Sequence, residues 1–486
     1  MVRAVKFQRA LAPLLVVSLG ACAGPSLPWQ HRDPGLEPIH SAYDTLMANY
    51  VDPPNPVALL GSAYAAARDT LANAGVKGDD LQAPTWAKSQ SDNWDRFAQA
   101  YGQLVDKYGK QVGSDKLEYA AISGMAGSLK DCQTRFLDPR ALKEQQAGAN
   151  GQQQFGGIGV LMKNIPGHPT ILRVLDGPAR AAGLQPGDEI IAVDGASVQG
   201  QTFEQVRNKI RGPQGSSVTL TIKRPGAGGT QDLTISRAQI QAPIVDIGLA
   251  ANGTVGYLHL YSFPQAMPQE LDQAIQFFDE HNVRSIVLDL RANTGGDQQT
   301  ILSSLSRFID GGVAEIQTDR AGNKQELKLD AGSYWKTPKP LVLLADEDTQ
   351  SGGEIFVKAM QEEGGYQVIG APTAGCAASA KSFDLPDGSA LEVSVAKVVS
   401  AKGQDINRAG VKPNQQVPFP VEDLAAGRDP QLLAALQAVQ AQTGGAPASS
   451  SAAPTGSAAV GSQPSAPAVP VLKPLAPNAG GAQILK

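Results

Sequence analysis

The stretch Leu341-Val-Leu-Leu-Ala-Asp-Glu-Asp-Thr-Gln-Ser351-Gly-Gly-Glu-Ile355 decides how this chain is read. Its apolar run predicts a buried strand, the acidic and polar residues a tight turn, and Ser351 the point where a helix opens. A serine so placed lies against unpaired main-chain N–H groups and the positive end of the helix dipole. Both favour the negative charge that develops during acyl transfer. The hydroxyl is still a poor nucleophile at neutral pH without a base. What the fold brings to Ser351 therefore decides its chemistry.

Outward from this segment the chain divides by texture, and 486 residues exceed one ordinary core. Residues 1–22 read as a lipoprotein-type signal peptide: Arg3, Lys6 and Arg9 precede an apolar run at 11–19 that is too short to span a bilayer. The run ends in Leu19-Gly20-Ala21-Cys22, which resembles a bacterial lipobox with Cys22 as the lipidated residue, and Ala23 resembles the outer-membrane sorting pattern. The expectation is an exported protein on the periplasmic face, lipid-anchored at the outer membrane. An ordinary signal peptide with an incidental cysteine is the alternative.

Residues 23–147 form a tether and a helical region, with apolar spacing of three and four at 39–50, 59–73 and 94–108. At 148–240 the pattern changes to short β runs, including 158–162, 171–175, 189–193 and 217–223. Residues 241–425 alternate apolar strands (255–260, 285–290, 341–345) with helical patterns such as 270–282, the rhythm of an α/β layer fold. A helix is expected at 426–443. Residues 444–486 are Ala, Pro, Ser and Gly with almost no charge, a composition that cannot offset its ordering entropy and predicts a disordered spacer. A net charge of -5 with interspersed signs and an aromatic content of 5% argue against nucleic acid as the main partner. No cofactor and no metal are expected.

Four motifs in order, Phe155-Gly156-Gly157-Ile158-Gly159-Val160, Gly177-Pro-Ala-Arg-Ala-Ala-Gly-Leu184, Gly187-Asp-Glu-Ile-Ile-Ala-Val-Asp-Gly195 and Ile210-Arg-Gly-Pro-Gln-Gly-Ser216, closely resemble a PDZ domain. The resemblance implies that residues 155–160 bind peptide: the glycines let N–H groups turn toward a terminal carboxylate, and the adjoining strand accepts the peptide as an added strand. A PDZ fold that only packs against its neighbour, or acts as a hinge, is the alternative.

A second series resembles the C-terminal processing (tail-specific) serine peptidases. It comprises Tyr50-Val-Asp-Pro53, Val255-Gly-Tyr-Leu-His-Leu-Tyr-Ser-Phe263, Ile286-Val-Leu-Asp-Leu-Arg-Ala-Asn-Thr-Gly-Gly296, Ser351-Gly-Gly-Glu-Ile355, Val368-Ile-Gly-Ala-Pro-Thr-Ala-Gly375 and Leu385-Pro-Asp-Gly-Ser389. The likeness covers most of residues 36–420 and implies an α/β core of the crotonase and ClpP kind. It makes Ser351 the nucleophile, with the N–H of Gly352 and one from Gly295-Gly296 as an oxyanion hole, each donor contributing roughly 3 kcal/mol to the transition state.

The family's base is missing. Its common form carries a lysine 25 positions after the serine and a glutamine four further on; here those positions hold Cys376 and Ala380. A second branch uses histidine in an Asp-x-His-Thr segment, often with a later glutamate; here Asp131-Cys132-Gln133-Thr134 puts Gln133 at the histidine, and Asn407-Arg408 stand where the glutamate would be sought. Among substitutes, Lys381 has an odd strand offset, Lys358 lies two helical turns from Ser351, and His259 reads as a packed strand residue. His31, His40, His168 and His281 belong to no motif.

With Cys22 removed from the three cysteines, Cys132 and Cys376 remain, and the resemblance places both near Ser351. A Cys132–Cys376 disulfide across the cleft is therefore expected, with two separate buried thiols as the alternative. Two functions stay open, beside a lesser third in which a partner supplies the base or Cys376 takes part as a thiol. One is an exported serine-type endopeptidase that captures protein C-termini on its PDZ domain; the other is a pseudopeptidase, a peptide-binding scaffold without a general base.

Overall fold

Helices α1 (Glu37–Asn49), α2 (Pro56–Asn73), α3 (Gln90–Val112) and α4 (Ser114–Ser128) open the fold. The computed structural model describes residues 36–443 except 79, 150–153, 166, 167, 176, 202, 242 and 337, so Cys22 and the tail from 444 lie outside the described residues. Asn55 and Ser89 accept main-chain N–H groups at the starts of α2 and α3, the caps their side chains are suited to form. Ile39, Leu46, Leu60, Leu104 and Ile122 make one buried face, and that core continues into Leu391 and Val393 of a strand far along the chain. The helical region thus shares its core with the C-terminal half of the chain.

After β1 (Arg135–Leu137) and α5 (Pro139–Ala149), residues 154–241 build a β domain from β2 (Gln154–Gly157), β3 (Val160–Ile165), β4 (His168–Val174), α6 (Pro178–Ala181), β5 (Glu189–Val193), β6 (Ala196–Ser197), α7 (Phe203–Ile210), β7 (Ser217–Lys223), β8 (Thr230–Ser236) and β9 (Ala238–Gln241). The sheet runs β3-β4-β5-β7-β8, which leaves β3 at an edge, while β2 pairs with β9. A single strand over 158–162 is not what forms. Gly159 takes φ +82° and Ile158-Gly159 separates β2 from β3, because a left-handed residue breaks the pleat.

The rest comprises β10 (Val245–Ala250), β11 (Val255–Leu260), α8 (Met267–Glu280), β12 (Ser285–Asp289), α9 (Gln298–Leu305), β13 (Val313–Asp319), β14 (Lys324–Lys328), β15 (Leu341–Ala345), α10 (Gly352–Glu362), β16 (Gln367–Gly370), β17 (Ala378–Asp384), β18 (Ala390–Ser400), β19 (Gln415–Gln416), α11 (Val421–Ala425) and α12 (Pro430–Gln442). Its main sheet is ordered β10-β11-β12-β15-β16-β19, parallel except for β10. Strands β11, β12 and β15 are buried throughout, and their largely apolar sequences reflect cover on both faces. On one face Leu271, Phe278 and Phe356 pack from α8 and α10; on the other, Leu432, Ala435 and Val439 pack from α12. Strand β12 stops at Asp289, one residue short of the sequence expectation, because the Asp289 carboxylate accepts the Arg291 N–H and turns the chain.

A second sheet, β1-β18-β13-β14 with β17 on β18, joins the helical region to the α/β core. Its β1–β18 pairing brings residues 131–134 beside the loop that precedes β17. Ser394 N–H, on β18, donates to Thr134 Oγ1 at 3.1 Å.

Candidate active site

Ser351 caps α10 with φ +56° and ψ -128°, a conformation costing an L-residue about 1–3 kcal/mol and sustained only by surrounding contacts. Those contacts come from the loop after β12. Gln350 N–H donates to Asn293 O (2.9 Å), Thr349 Oγ1 to Leu290 O (2.7 Å), and Ala292 N–H to the Asp346 carboxylate (2.9 Å). Gly353 admits the buried Asn293, whose Oδ1 would lie 2.8 Å from a Cβ added there. The serine turn and the 290–296 loop are one sewn unit.

Glycine is required where that loop meets the serine. A Cβ on Gly295 (φ +79°) would lie 2.6 Å from Gly352 N and 3.1 Å from Ser351 Oγ. One on Gly352 would lie 3.5 Å from Gly296 N and 2.1 Å from Ile301 Cδ1. The Gly295 N–H is already committed to Asn293 Oδ1 at 2.8 Å. The donors left beside Ser351 are the N–H groups of Gly296 and Gly352, which find no acceptor among the described residues. Two such N–H groups beside a strained serine are donors of the kind that an oxyanion hole uses.

Glu354, on the first turn of α10, is fully buried and receives four donors: Ser351 N (3.2 Å), Gly375 N (2.7 Å), Cys376 N (2.6 Å) and Thr373 Oγ1 (2.5 Å). Burial pushes its carboxyl up, and the four hydrogen bonds oppose that shift. Ala374 N–H donates to Thr349 O (3.0 Å), so residues 374–376 run alongside 349–351. Cys376 is buried there and bonded to the exposed Cys132, with Cα atoms 5.9 Å apart. Gln133 donates through Nε2 to Cys376 O (2.7 Å) and lies 3.4 Å from Cys376 Sγ.

No side chain of ordinary basic character occupies the remaining expected positions. Cys376 precedes β17, and a bulge between Ser379 and Ala380 interrupts the alternation counted from it, so strand parity does not place Lys381; both Ala380 and Lys381 are exposed. Lys358 is engaged by Glu362 (2.9 Å) on its own helix. His259 is buried, stacked on Tyr261 at 3.9 Å, with Nε2 2.9 Å from Arg291 O. Arg408 N–H donates to Gly375 O (2.6 Å), closing the loop from behind. Among the described residues no cluster of His, Cys, Asp and Glu could hold a metal ion.

In the β domain the roles of the glycines separate. Gly156 and Gly157 belong to β2, opposite Gln239 and Ala238, and a Cβ on Gly156 would lie 1.9 Å from Gly212 O, so Gly156 serves close packing. The N–H groups of Ile158 and Gly159 have no acceptor among the described residues and stand beside the free edge of β3, where Val160 begins the strand. Phe155 contributes its main chain to β2, opposite Ile240.

Sequence reasoning missed the link between the two units. Lys163 of β3 is buried and reaches Asp346 (2.6 Å) and Glu347 (3.3 Å) in the serine turn. Burial alone would lower its ammonium pKa, but the carboxylates outweigh that and raise it. Asp348 beside them is pushed up to about 7 by burial and by Asp346. Arg173 of β4 pairs with Asp246 and donates to Tyr261 Oη (2.9 Å). A lysine within the apolar run 158–165 was the available signal, since lysine is seldom buried without a partner.

The profile of peptidase family S41 matches residues 254–417, and that of the PDZ domain residues 170–224. The chain is 32% identical over 338 residues to the carboxy-terminal processing protease CtpA of Bacillus subtilis, spanning 69% of this chain and 71% of that protein. It is 31% identical over 321 residues to the chloroplastic carboxyl-terminal-processing peptidase 2 of Arabidopsis thaliana, 63% of this chain and 62% of the other. In fold it is similar to the photosystem II D1 C-terminal processing protease, with a TM-score of 0.52 at 24% identity over 81% of this chain and 97% of that one.

Proposed function

This chain belongs to peptidase family S41, as a C-terminal processing peptidase with a PDZ domain, and from that membership we propose that it cleaves proteins presenting a free, unstructured C-terminal tail, with Ser351 as nucleophile. The tail adds as a strand to the edge of β3, its carboxylate received by the N–H groups of Ile158 and Gly159. Ser351 Oγ attacks a peptide carbonyl, and the N–H groups of Gly352 and Gly296 receive the oxyanion, each contributing roughly 3 kcal/mol. Export and lipidation at Cys22 would place this activity on the periplasmic face of a membrane, probed by radiolabelled-lipid incorporation into the protein and its Cys22→Ser variant.

The observation that carries this reading is the close approach of Gly295 to Ser351 and Gly352, at a place where the N–H groups of Gly296 and Gly352 find no acceptor among the described residues. The test is incubation of the purified protein, oxidised and reduced, with a disordered polypeptide ending in apolar residues. Cleavage by the protein and none by Ser351→Ala is expected. A second reading, a peptide-binding scaffold without turnover, is favoured by the disulfide and Gln133 at the positions of the family's bases. Tail binding with no cleavage under either redox condition selects it.

A further inference from the structure

We propose that Cys376, released by reduction of its bond to Cys132, is the proton acceptor for Ser351, so that the disulfide is the off state of the enzyme and a dithiol reductant is its switch. The inference rests on the peptidase reading above.

The two sulfurs differ in access. Cys132 is exposed and Cys376 is buried, so a reductant thiolate attacks the Cys132 sulfur and expels Cys376 as the thiolate. The second thiol of the reductant then resolves the mixed disulfide at Cys132. In sum, one dithiol loses two electrons and two protons to become a cyclic disulfide, and the protein gains two thiols. The leaving thiolate is therefore formed at residue 376.

The main chain at 376 does not depend on the disulfide for its position. Glu354 holds the N–H groups of Gly375 and Cys376, Thr349 O holds Ala374 N–H, and Gly375 O accepts from Arg408. Ser351 donates to the same Glu354 oxygen as Cys376, so the two main-chain nitrogens are two hydrogen bonds apart and the main chain at 376 stays beside the serine turn after reduction.

Gln133 supplies what a thiolate needs. Its Nε2 has two hydrogens, one directed to Cys376 O and one available to Sγ at 3.4 Å. A donor to the charged form lowers a thiol pKa from its usual value of about 8.5. In the reaction the Cys376 thiolate takes the Ser351 Oγ proton as the C–O bond to the substrate carbonyl forms. The thiol returns that proton to the departing amine as the C–N bond breaks; the regenerated thiolate then takes a proton from the water that attacks the acyl-serine and passes it to Ser351 Oγ as the acyl C–O bond breaks. Residues 376 and 133, each anomalous by itself, form one unit: a thiolate base and the amide that donates to it.

The test uses the full chain, a disordered fluorescent polypeptide with an apolar C-terminus, and dithiothreitol. Oxidised wild type is expected to be silent and the reduced protein to cleave at least ~100-fold faster, the scale of a general base, losing activity again on reoxidation with diamide. Cys132→Ser should cleave without reductant; Cys376→Ala and Ser351→Ala should fail in both states. In the Cys132→Ser background, Gln133→Met should move the pH midpoint of kcat/KM upward by about one unit. A structural role for Gln133 would not produce that shift.

Cleavage by Cys376→Ala, or equal rates from oxidised and reduced wild type, overturns this inference while leaving the peptidase reading intact. Cleavage by Ser351→Ala makes the thiol the nucleophile and overturns both. So does silence in every arm when thiol counting shows full reduction and tail binding persists. If Cys132→Ser fails to fold, the reversible reduction of wild type decides.

Discussion

Ser351 and Cys376 donate their main-chain N–H groups to the same carboxylate oxygen, Oε2 of Glu354, at 3.2 and 2.6 Å. The serine turn and the loop bearing the disulfide are thus fixed to one buried carboxyl group on α10. A change at 376 therefore reaches 351 through Glu354 as well as through the Ala374 to Thr349 hydrogen bond.

Glu354→Gln keeps the shape and removes the acceptor. Its amide hydrogens would face N–H donors from Ser351, Gly375 or Cys376, leaving at least one of them unsatisfied in a buried site. The variant should lose about 2–3 kcal/mol of stability in urea titration. An unchanged midpoint would show that the anion is dispensable.

Cys376→Lys combined with Ala380→Gln installs the family's usual pair on this backbone. The double variant should cleave the disordered polypeptide without reductant, at a rate at least ~100-fold above oxidised wild type. Failure of a well-folded double variant would mean that the 374–376 loop does not aim its side chain at Ser351.

Lys163→Met should cost about 3–5 kcal/mol, because it leaves Asp346 buried without its cation while Asp346 still holds the Ala292 N–H. Adding Asp346→Asn should cost less than the sum of the single changes, measured as a double-mutant cycle in urea. Additive costs would show that the ion pair does not couple β3 to the serine turn.

Asp348 gives the pH dependence a definite sign. Folded Asp348 keeps its proton up to about pH 7, whereas an unfolded aspartate loses it near pH 4. The native state therefore binds more protons across that window, and stability falls as pH rises from about 4 to 7. Asp348→Asn should flatten this decline and be more stable than wild type at pH 8 by about 1–2 kcal/mol in thermal or urea unfolding. A decline identical in both proteins would assign it to another group, such as Glu118, which burial also pushes up to about 7.

The sequence determined the strand, turn and helix around Ser351, because an unbroken apolar run at 341–345 and a polar turn leave little choice of local structure. It also marked Cys376, Ala380 and Gln133 as departures, since residue identity alone excludes a lysine or histidine base. Only the tertiary structure decided which donors remain free. The Gly295 N–H is spent on Asn293, whose own amide donates to Leu260 O of β11, and Gly156 packs on Gly212; the hold on Asn293 and the packing of Gly156 join separate segments rather than follow from spacing. The same holds for Lys163: its charge is legible at residue 163, but its partner lies 183 residues away and is chosen by how β3 docks on the serine turn. Local periodicity is written in neighbouring residues, whereas hydrogen-bond satisfaction and ion pairing depend on what the folded chain brings within 3 Å or so. The segment 341–355 therefore announced a serine at a helix N-terminus, and the folding of residues 133 and 376 against it decided that a disulfide stands beside that turn.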